Sequence, residues 1–149
     1  MNPRFNIRVY GIFRDETRGI LVSDEYIKGQ AITKFPGGGL EYGEGTRDCL
    51  KREWKEELDQ DIEVGKHLYT TDFFQLSGFG DGGQILSIYY EVRTSPPFKV
   101  TFQTDPFAFS RWEDQEQVFR WIPLSEFSED SLTLPIDKVV ASLIKPKRG

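Results

Sequence analysis

A short run near the middle of the chain has the residue types and spacing to bind a divalent metal ion. Arg52 is followed by Glu53, and Glu56 and Glu57 come three residues later. A helix turns by about 100° per residue, so the three glutamates fall within roughly 100° of one another on a helical wheel. Mg²⁺ in proteins takes oxygen ligands, usually one or two carboxylates with water and substrate phosphates. The run therefore predicts a magnesium site on one helix face.

The same run also fits an ordinary charged face of a surface helix. Arg52 and Glu56 are four residues apart, a spacing at which opposite charges often pair. Glu53 and Glu57 have the same spacing, however, and like charges placed so repel by roughly a few tenths of a kcal/mol. A bound cation removes this repulsion, so the pair favours a metal site over surface decoration.

The residues around the glutamates indicate how the helix is placed. Leu50, Trp54 and Leu58 form an apolar stripe that is expected to face a core. Thr46 is the expected N-cap. A run of glycines precedes it: Gly37, Gly38, Gly39, Gly43 and Gly45. Such a run is either a flexible connector or a loop whose backbone can approach a phosphate or a metal ion.

Composition and charge indicate a globular protein that acts on small molecules. The chain has 149 residues, of which 38% are hydrophobic and 29% charged, so a single domain spanning residues 1–149 is expected. A net charge of −5 argues against a nucleic-acid partner, which would need a basic surface. No signal peptide or long apolar run occurs, which predicts no membrane partner and a cytoplasmic location.

The lone cysteine and histidine carry little functional signal. Cys49 cannot form an intramolecular disulfide, and a small buried residue beneath the glycine loop is favoured over an oxidisable thiol. His67 has no second histidine or cysteine at ligand spacing, so a surface or strand position is expected rather than zinc binding. The basic residues 145–149 are expected to form a solvated tail.

Most other segments have strand patterns, and the order of elements predicts an α+β fold. Strands are predicted over residues 5–13, 19–23, 31–35, 62–75, 84–93, 98–102 and 116–123, and a closing helix over residues 134–145. Residues 5–13 and 19–23 are expected to pair as a hairpin, and residues 24–30 to form a loop. Asp81-Gly82 indicates a type I′ turn. Phe107, Phe109 and Trp112 are core or dimer-contact residues, or else a lid that stacks on a nucleobase.

The run around Arg52 resembles a known family motif. The lead-in Phe35-Pro36-Gly37-Gly38 and the spacing that follows resemble the Nudix box, G-x5-E-x7-R-E-U-x-E-E-x-G-U, in which U is apolar. The matching residues are Gly38, Glu44, Arg52, Glu53, Trp54, Glu56 and Glu57. The chain departs from the pattern at Asp59, where the box has glycine, and at Gln60, where it has an apolar residue. Asp59 can replace glycine as a left-handed helix cap, whereas Gln60 puts the helix exit in doubt.

The resemblance implies a fold, an activity and a set of site residues. The fold is the Nudix α/β/α sandwich, with a mixed β-sheet between helices. The activity is Mg²⁺-dependent hydrolysis of a nucleoside diphosphate linked to another group, with Mn²⁺ as an alternative ion. The implied metal ligands are Glu53, Glu57, Glu56 and the carbonyl oxygen of Gly37. Arg52 would orient Glu53.

Two roles near the motif stay open. Glu44 either braces the loop or favours the helix dipole as an acid in front of the first turn. A general base must reach the attacking water, and family members differ in which residue supplies it. Glu53, Glu113 and Glu116 are the candidates, although Glu113 and Glu116 also fit plain surface charge.

The resemblance leaves the substrate and the assembly undecided. Residue 76 and its neighbours lack the proline and the tyrosine that suggest ADP-ribose or dinucleoside polyphosphates in the family. Nucleoside triphosphates, ADP-ribose and nucleotide sugars therefore all stay open, and a homodimer is an expectation only. The rival hypothesis is a Nudix-like module that binds a nucleotide sugar without cleaving it. The intact acids favour the enzyme.

Overall fold

The structure is a computed structural model that describes residues 4–144. In chain order the elements are β1 (Phe5–Ile12), β2 (Arg14–Asp15), β3 (Gly19–Ile27), β4 (Gln30–Lys34), β5 (Gly37–Gly39), α1 (Thr46–Leu58), β6 (Glu63–Thr70), β7 (Gln84–Arg93), β8 (Phe102–Gln103), β9 (Glu116–Ile122), a 3-10 turn (Glu129–Ser131) and α2 (Pro135–Ile144). Between residues 4 and 144, no helix has the length and apolar character needed to cross a membrane.

The elements form two compact units. The first comprises the chain up to Ile12 together with Pro36–Lys99, and the second comprises Phe13–Phe35 together with the chain from Val100 onward. The predicted box helix lies in the first unit.

The first unit is a mixed sheet with α1 on one face. The strand order is β5-β1-β7-β6, with β1 parallel to β7 and antiparallel to β5. The helix approaches the sheet at Gly11, where an added Cβ atom would lie 3.0 Å from Trp54 Nε1 and 3.4 Å from Leu50 Cδ2. The same Cβ atom would collide with Val92 Cγ2 of β7, so a side chain at Gly11 would clash within the sheet and also crowd the helix.

Strand β1 is buried differently from the prediction. The alternating pattern of residues 5–13 predicts that the odd-numbered side chains face the core, and Val9 is fully buried. Phe5 and Ile7, on the same side, are 70% and 36% exposed, because α1 contacts this face at the other end of the strand. Tyr10 on the opposite face is buried as well. The strand is therefore covered on both faces at its C-terminal end and on neither at its start.

The predicted hairpin of residues 5–13 and 19–23 is wrong. Strand β1 pairs with β7 and β5 in one sheet, whereas β3 belongs to the other sheet. Only Phe13 and the two residues of β2 pair back onto β3: Leu21 N–H donates to Phe13 O at 3.1 Å, and Arg14 lies opposite Ile20. The alternating pattern identified both strands correctly but carried no information on their partners.

The second unit contains the remaining strands. Its sheet has the order β2-β3-β9-β8, and β4 pairs with β3. Strand β3 runs to Ile27 and β4 begins at Gln30, so the loop predicted for residues 24–30 is wrong except at Lys28 and Gly29. Asp24 is fully buried in β3. Its carboxylate accepts hydrogen bonds from Arg120 Nε at 2.6 Å and Thr33 Oγ1 at 2.6 Å, and such partners allow a charge inside a sheet.

Other boundaries follow the predictions with some differences. Strands β4, β7 and β9 and helix α2 lie where they were predicted, except that Lys145 and the tail of residues 145–149 lie outside the described residues. Strand β6 ends at Thr70 instead of residue 75, and the strand predicted over residues 98–102 is wrong except at its last residue, where the two-residue β8 begins. The two-residue type I′ turn predicted at Asp81-Gly82 is wrong. Ser77 N–H donates to Gly83 O at 2.8 Å, which shows that the connection before β7 is longer.

The aromatic segment before β9 packs within the second unit. Phe109 is buried, and its ring meets that of Trp112 edge-on, with the centroids 5.0 Å apart. Trp112 is 57% exposed and also contacts Tyr26 edge-on at 5.5 Å. The backbone N–H of Phe107 donates to the buried carboxylate of Asp24 at 3.0 Å. These contacts agree with a packing role for the segment.

Candidate active site

Helix α1 buries the apolar stripe that its sequence predicted. Leu50, Trp54 and Leu58 are buried, and so is Cys49. The N-cap is Gly45 rather than Thr46, and it makes no side-chain capping bond. Thr46 cannot cap because it is already helical, and its hydroxyl oxygen lies 2.6 Å from the Tyr90 hydroxyl. The apolar face of the helix is therefore well packed, and the face that carries the glutamates lies next to it.

The first three glycines form a strand instead of a flexible loop. Residues 37–39 are β5, which pairs with β1. Pro36 O accepts a hydrogen bond from Gly11 N–H at 2.8 Å, and such bonds alternate along an antiparallel strand, so the carbonyl of Gly37 points away from β1. Gly37 has φ +151°, and an added Cβ would collide with the carbonyl oxygen of Val9. This position requires glycine.

Gly38 makes room for the first box glutamate. An added Cβ on Gly38 would lie 2.5 Å from both Cδ and Oε2 of Glu53. The Glu53 carboxylate thus lies against bare backbone, and its side chain is only 13% exposed. The glycine that opens the box is needed because the glutamate fills the space of its side chain.

Arg52 links the strand, the following loop and the helix. Its Nε donates to Glu44 at 2.9 Å, and its Nη2 donates to Glu44 at 2.7 Å and to Gly39 O at 3.0 Å. Its Nη1 donates to Glu53 at 2.9 Å and to Glu56 at 3.3 Å. A guanidinium has five N–H donors, so each of them is engaged. Arg52 could therefore take a substrate phosphate only by releasing one of these partners.

The charges around Arg52 shift the pKa values of its neighbours. The hydrogen bond from Arg52, followed by the one from Glu41 N–H, lowers the pKa of Glu44 to about 2. The bond to Glu44 in turn raises the pKa of Arg52. Burial, and then the hydrogen bond with Glu44, raise the pKa of the Cys49 thiol to about 12. Cys49 Sγ–H donates to Gly39 O at 3.5 Å, so this thiol is a packing residue, as predicted.

The carboxylates of the helix offer oxygen ligands with an excess of negative charge. Arg52 lies within 4.0 Å of Glu41, Glu44, Glu53 and Glu56. One guanidinium does not neutralise four carboxylates, and a divalent ion would offset the remainder. Glu56 is 59% exposed and Glu57 is half-buried, so both are accessible from solvent. The chemistry and exposure of these ligands fit Mg²⁺.

The side chains are not gathered around a common point as they stand. Across residues 4–144, no group of three His, Cys, Asp or Glu side chains has the arrangement that a metal ion needs. The carboxylates of Glu53 and Glu56 both face Arg52 instead. Binding an ion would therefore require their carboxyl groups to rotate.

The two departures from the box are accommodated at the helix exit. Asp59 is the C-cap, with φ 52° and ψ 42°, the left-handed conformation predicted for it. Gln60 is buried, and its Nε2 donates to Thr94 Oγ1 at 2.8 Å and to Ser95 O at 3.0 Å. Gln60 can be buried where the box has an apolar residue because both hydrogens of its side-chain amide are bonded.

The remaining base candidates lie in the second unit. Glu116 begins β9 and is half-buried, and its carboxylate accepts a hydrogen bond from Ser110 Oγ at 3.2 Å. Glu113 is exposed and its carbonyl accepts from Glu116 N–H at 3.1 Å. These contacts do not distinguish Glu113 from Glu116 as the general base, and the identity of the base stays a prediction.

Comparison with known sequences and structures assigns the family. A sequence model of the NUDIX domain matches residues 2–143. The chain belongs to the NUDIX family. The resemblance drawn from the box is confirmed, and so is the class of protein, a Nudix-type hydrolase. A search of curated proteins gave no match.

Solved structures share the fold of this NUDIX chain at low sequence identity. The ORF135 protein of E. coli is 22% identical, with a TM-score of 0.66, over 94% of this chain and 88% of its own. A MutT protein from Methanosarcina mazei is 18% identical, with a TM-score of 0.67, over 95% and 93%. An ADP-ribose pyrophosphatase from Streptococcus suis is 16% identical, with a TM-score of 0.55, over 93% and 86%. The predicted sandwich fold with mixed sheets is thereby confirmed.

Proposed function

We propose that this chain hydrolyses the pyrophosphate bond of a nucleoside diphosphate linked to another group, with Mg²⁺ or Mn²⁺ as cofactor. The observation that carries the proposal is the position of Glu53. Its carboxylate lies against the backbone of Gly38 and accepts a hydrogen bond from Arg52. A strand without side chains, a carboxylate beside it that can turn toward an ion, and an excess of negative charge suit a metal ion that receives phosphate oxygens.

Four residues would hold the ion. They are Glu53, Glu56 and Glu57 on α1 and Gly37, whose carbonyl points away from β1. When bound, a divalent ion neutralises charge on the pyrophosphate and lowers the pKa of a water molecule. Arg52 would keep Glu53 in place through its charge-assisted hydrogen bond, and Glu44 would keep Arg52 in place. Arg52 is thus a positioning residue, because its donors are used within the protein.

The reaction needs one proton acceptor. The water oxygen forms a bond to phosphorus as the bond from phosphorus to the bridging oxygen breaks, and the water proton passes to a carboxylate oxygen. Glu53, Glu113 and Glu116 are the proposed acceptors. Replacing each by glutamine and recording the pH profile of kcat identifies the base, since its loss removes the acidic limb.

The proposed substrates are small molecules, and nucleoside triphosphates, ADP-ribose and nucleotide sugars are the candidates. The name of one structural neighbour, ADP-ribose pyrophosphatase, falls within this range. The net charge of −5 supports a small-molecule substrate over a nucleic acid or an anionic membrane surface. We also propose a single hydrolase domain over residues 1–149, a cytoplasmic location and a homodimer.

A substrate panel tests the proposal. The chain is incubated with these nucleotides and Mg²⁺, and released monophosphate or phosphate is measured. Turnover is expected, and Glu57→Gln should lower it by at least about 100-fold, since loss of charge stabilisation at a transition state costs on the order of 100- to 1000-fold. Glu63→Gln, an exposed glutamate at the start of β6, is the control.

Two results would contradict the proposal. Unchanged turnover in Glu57→Gln would refute the proposed role of helix α1 in binding the metal ion. Tight binding of a nucleotide sugar without turnover, with or without added metal, would favour the non-catalytic module. Melting temperatures of both variants separate loss of activity from loss of fold.

A further inference from the structure

The start of helix α1 is held by contacts outside the helix. A helix begins with amide groups that have no partner within it, and the side chain of the N-cap residue usually binds one of them. The N-cap here is Gly45, which makes no side-chain bond. Thr46 and Arg47, the first two helical residues, contact strands β7 and β6 instead. The sheet therefore fixes the position at which α1 begins.

Arg47 binds a β-bulge in strand β6. Between Val64 and His67 this strand gains one residue relative to its partner β7. Successive carbonyl groups of a regular strand point in opposite directions, whereas an extra residue bends the strand and leaves part of it unpaired. Arg47 Nη1 donates to Val64 O and to Gly65 O, both at 2.9 Å. The bulge thus turns two consecutive carbonyls toward one nitrogen.

Tyr90 of β7 takes part in the same arrangement. Arg47 Cζ lies 4.7 Å from the centre of the Tyr90 ring, which is a cation–π contact. The Tyr90 hydroxyl is 2.6 Å from Thr46 Oγ1, and Tyr90 is only 8% exposed. A buried ring and a bulge therefore hold two consecutive residues of the helix. We call these bonds of Thr46 and Arg47 the helix-start contacts.

The helix start lies between the two partners that brace the site. Glu44 is in the loop in front of Gly45, and Arg52, which binds it, is in the second turn of α1. Arg52 also donates to Glu53. Helix ends open most easily where few contacts hold them, and an open first turn would move Glu44 relative to Arg52. The helix-start contacts keep the loop and the helix in the arrangement that this pair needs.

We propose that Arg47 is a positioning residue, which fixes the start of α1 and through it the orientation of Glu53. The inference rests on the proposed metal site. The guanidinium of Arg47 binds the carbonyls of β6 and the ring of Tyr90, so it acts on the site only through the helix. Lysine at this position would keep the charge but lacks the planar group that stacks on the ring.

Amide hydrogen exchange of the metal-free chain tests this role without an assay of activity. The N–H of Cys49 donates to Gly45 O at 2.9 Å and closes the first turn of α1. Arg47→Gln should raise its exchange rate by roughly tenfold, the effect of losing a charge-assisted hydrogen bond that holds the turn. Arg47→Lys should raise it less. The N–H of Asp59, at the other end of α1, should exchange at the wild-type rate in both variants.

The matched control is Lys51→Gln. Lys51 is an exposed residue of the same helix, and its replacement removes the same charge as Arg47→Gln. The exchange rate of the Cys49 N–H should be unchanged in this control. Melting temperatures of all variants verify folding.

Binding of Mn²⁺ tests the link to Glu53. In titration calorimetry, Arg47→Gln should raise the Kd of the ion by roughly tenfold, the lower end of the cost of removing an outer partner of a metal ligand. Arg47→Lys should recover part of the affinity. Loss of a positive charge alone would strengthen cation binding, so Lys51→Gln should not weaken it. A weaker affinity in Arg47→Gln therefore reports a change of position and not of charge.

The outcomes separate this inference from the proposed function. An unchanged exchange rate of the Cys49 N–H in Arg47→Gln overturns the inference, and a chain that still hydrolyses the nucleotide panel keeps its function. Faster exchange with an unchanged Kd for Mn²⁺, or with no Mn²⁺ binding by wild type, also overturns it, because the helix start would then not act on a metal site. Faster exchange and weaker Mn²⁺ binding in a chain without turnover support the inference and contradict the function.

Discussion

Arg52 donates to both oxygens of the Glu44 carboxylate, through Nε at 2.9 Å and through Nη2 at 2.7 Å. This paired bond connects the loop in front of α1 with the second turn of the helix. It also answers the question that the sequence left open for Glu44, whose carboxylate accepts from Arg52 and from Glu41 N–H. Glu44 braces the loop, and its charge is directed at Arg52.

Replacing Arg52 by lysine should lower kcat/KM for the best substrate by roughly 10- to 100-fold, the usual cost of losing a partner that orients a metal ligand. An ammonium group is a single point and cannot bond Glu44, Glu53 and Gly39 together. Steady-state kinetics at several Mg²⁺ concentrations measure the effect. Arg111→Lys, which changes an exposed arginine of the second unit, is the control. Equal kinetics in Arg52→Lys and wild type would refute the positioning role.

The low pKa of Glu44 predicts a specific acid sensitivity. In the folded chain this pKa is about 2, against an ordinary value of 4.5, chiefly because of the hydrogen bond from Arg52. A carboxylate with a depressed folded pKa stabilises the fold above its unfolded pKa and loses this contribution as the pH falls toward its folded pKa. The stability of wild type over Glu44→Gln should therefore be largest above pH 4.5 and shrink toward pH 2.

Urea unfolding of wild type and Glu44→Gln across this pH range measures that difference. Glu63→Gln serves as the comparison for an exposed glutamate, and its difference from wild type should vary less with pH. A constant difference between wild type and Glu44→Gln would show that the Glu44 bond does not set the acid sensitivity.

Gly38→Ala should damage the site more than the fold. The added Cβ would lie 2.5 Å from the Glu53 carboxylate, which is the flexible end of a side chain and can move aside. We expect a loss of stability below about 1 kcal/mol and a loss of activity of at least tenfold, about 1.4 kcal/mol of transition-state free energy. Gly78→Ala is the control, because no atom lies within 4 Å of its added Cβ. A larger loss of stability than of activity would contradict this view of Gly38.

Gln60→Leu restores the apolar residue of the Nudix box and should nevertheless destabilise the chain. The change removes hydrogen bonds to Thr94 and Ser95 O from a buried amide. A buried bond of this kind contributes about 1 kcal/mol, so a loss of about 1–2 kcal/mol in the free energy of unfolding is expected. Urea denaturation measures it, with Gln30→Leu at the exposed start of β4 as control. A more stable Gln60→Leu would show that the apolar residue is preferred here too.

The sequence predicted those features that depend on local periodicity. The buried stripe of Leu50, Trp54 and Leu58 follows from helical spacing, and the left-handed cap at Asp59 follows from conformational preference. Both are properties of neighbouring residues, so no knowledge of distant contacts was needed. The box residues were found by their resemblance to the Nudix motif, whose spacing within one loop and one helix is fixed.

Features that depend on distant partners were missed. Glycine has no side-chain pattern, so β5 could not be told from a loop until its pairing with β1 was known. Asp24 was predicted in a loop because a charged residue rarely lies inside a sheet. The partner that allows its burial, Arg120, is 96 positions away and cannot be found from the local sequence. The catalytic and metal-binding roles of the glutamates stay predictions.

The path of the chain between the two units limits how the protein can be divided. The chain passes from one unit to the other after Ile12, after Phe35 and after Lys99. Neither unit is therefore a continuous segment, and truncation at any of these three crossings leaves at least one sheet without a strand that it requires. A split-protein or domain-transplant design would have to carry both segments of a unit together, joined by a new linker across the gap.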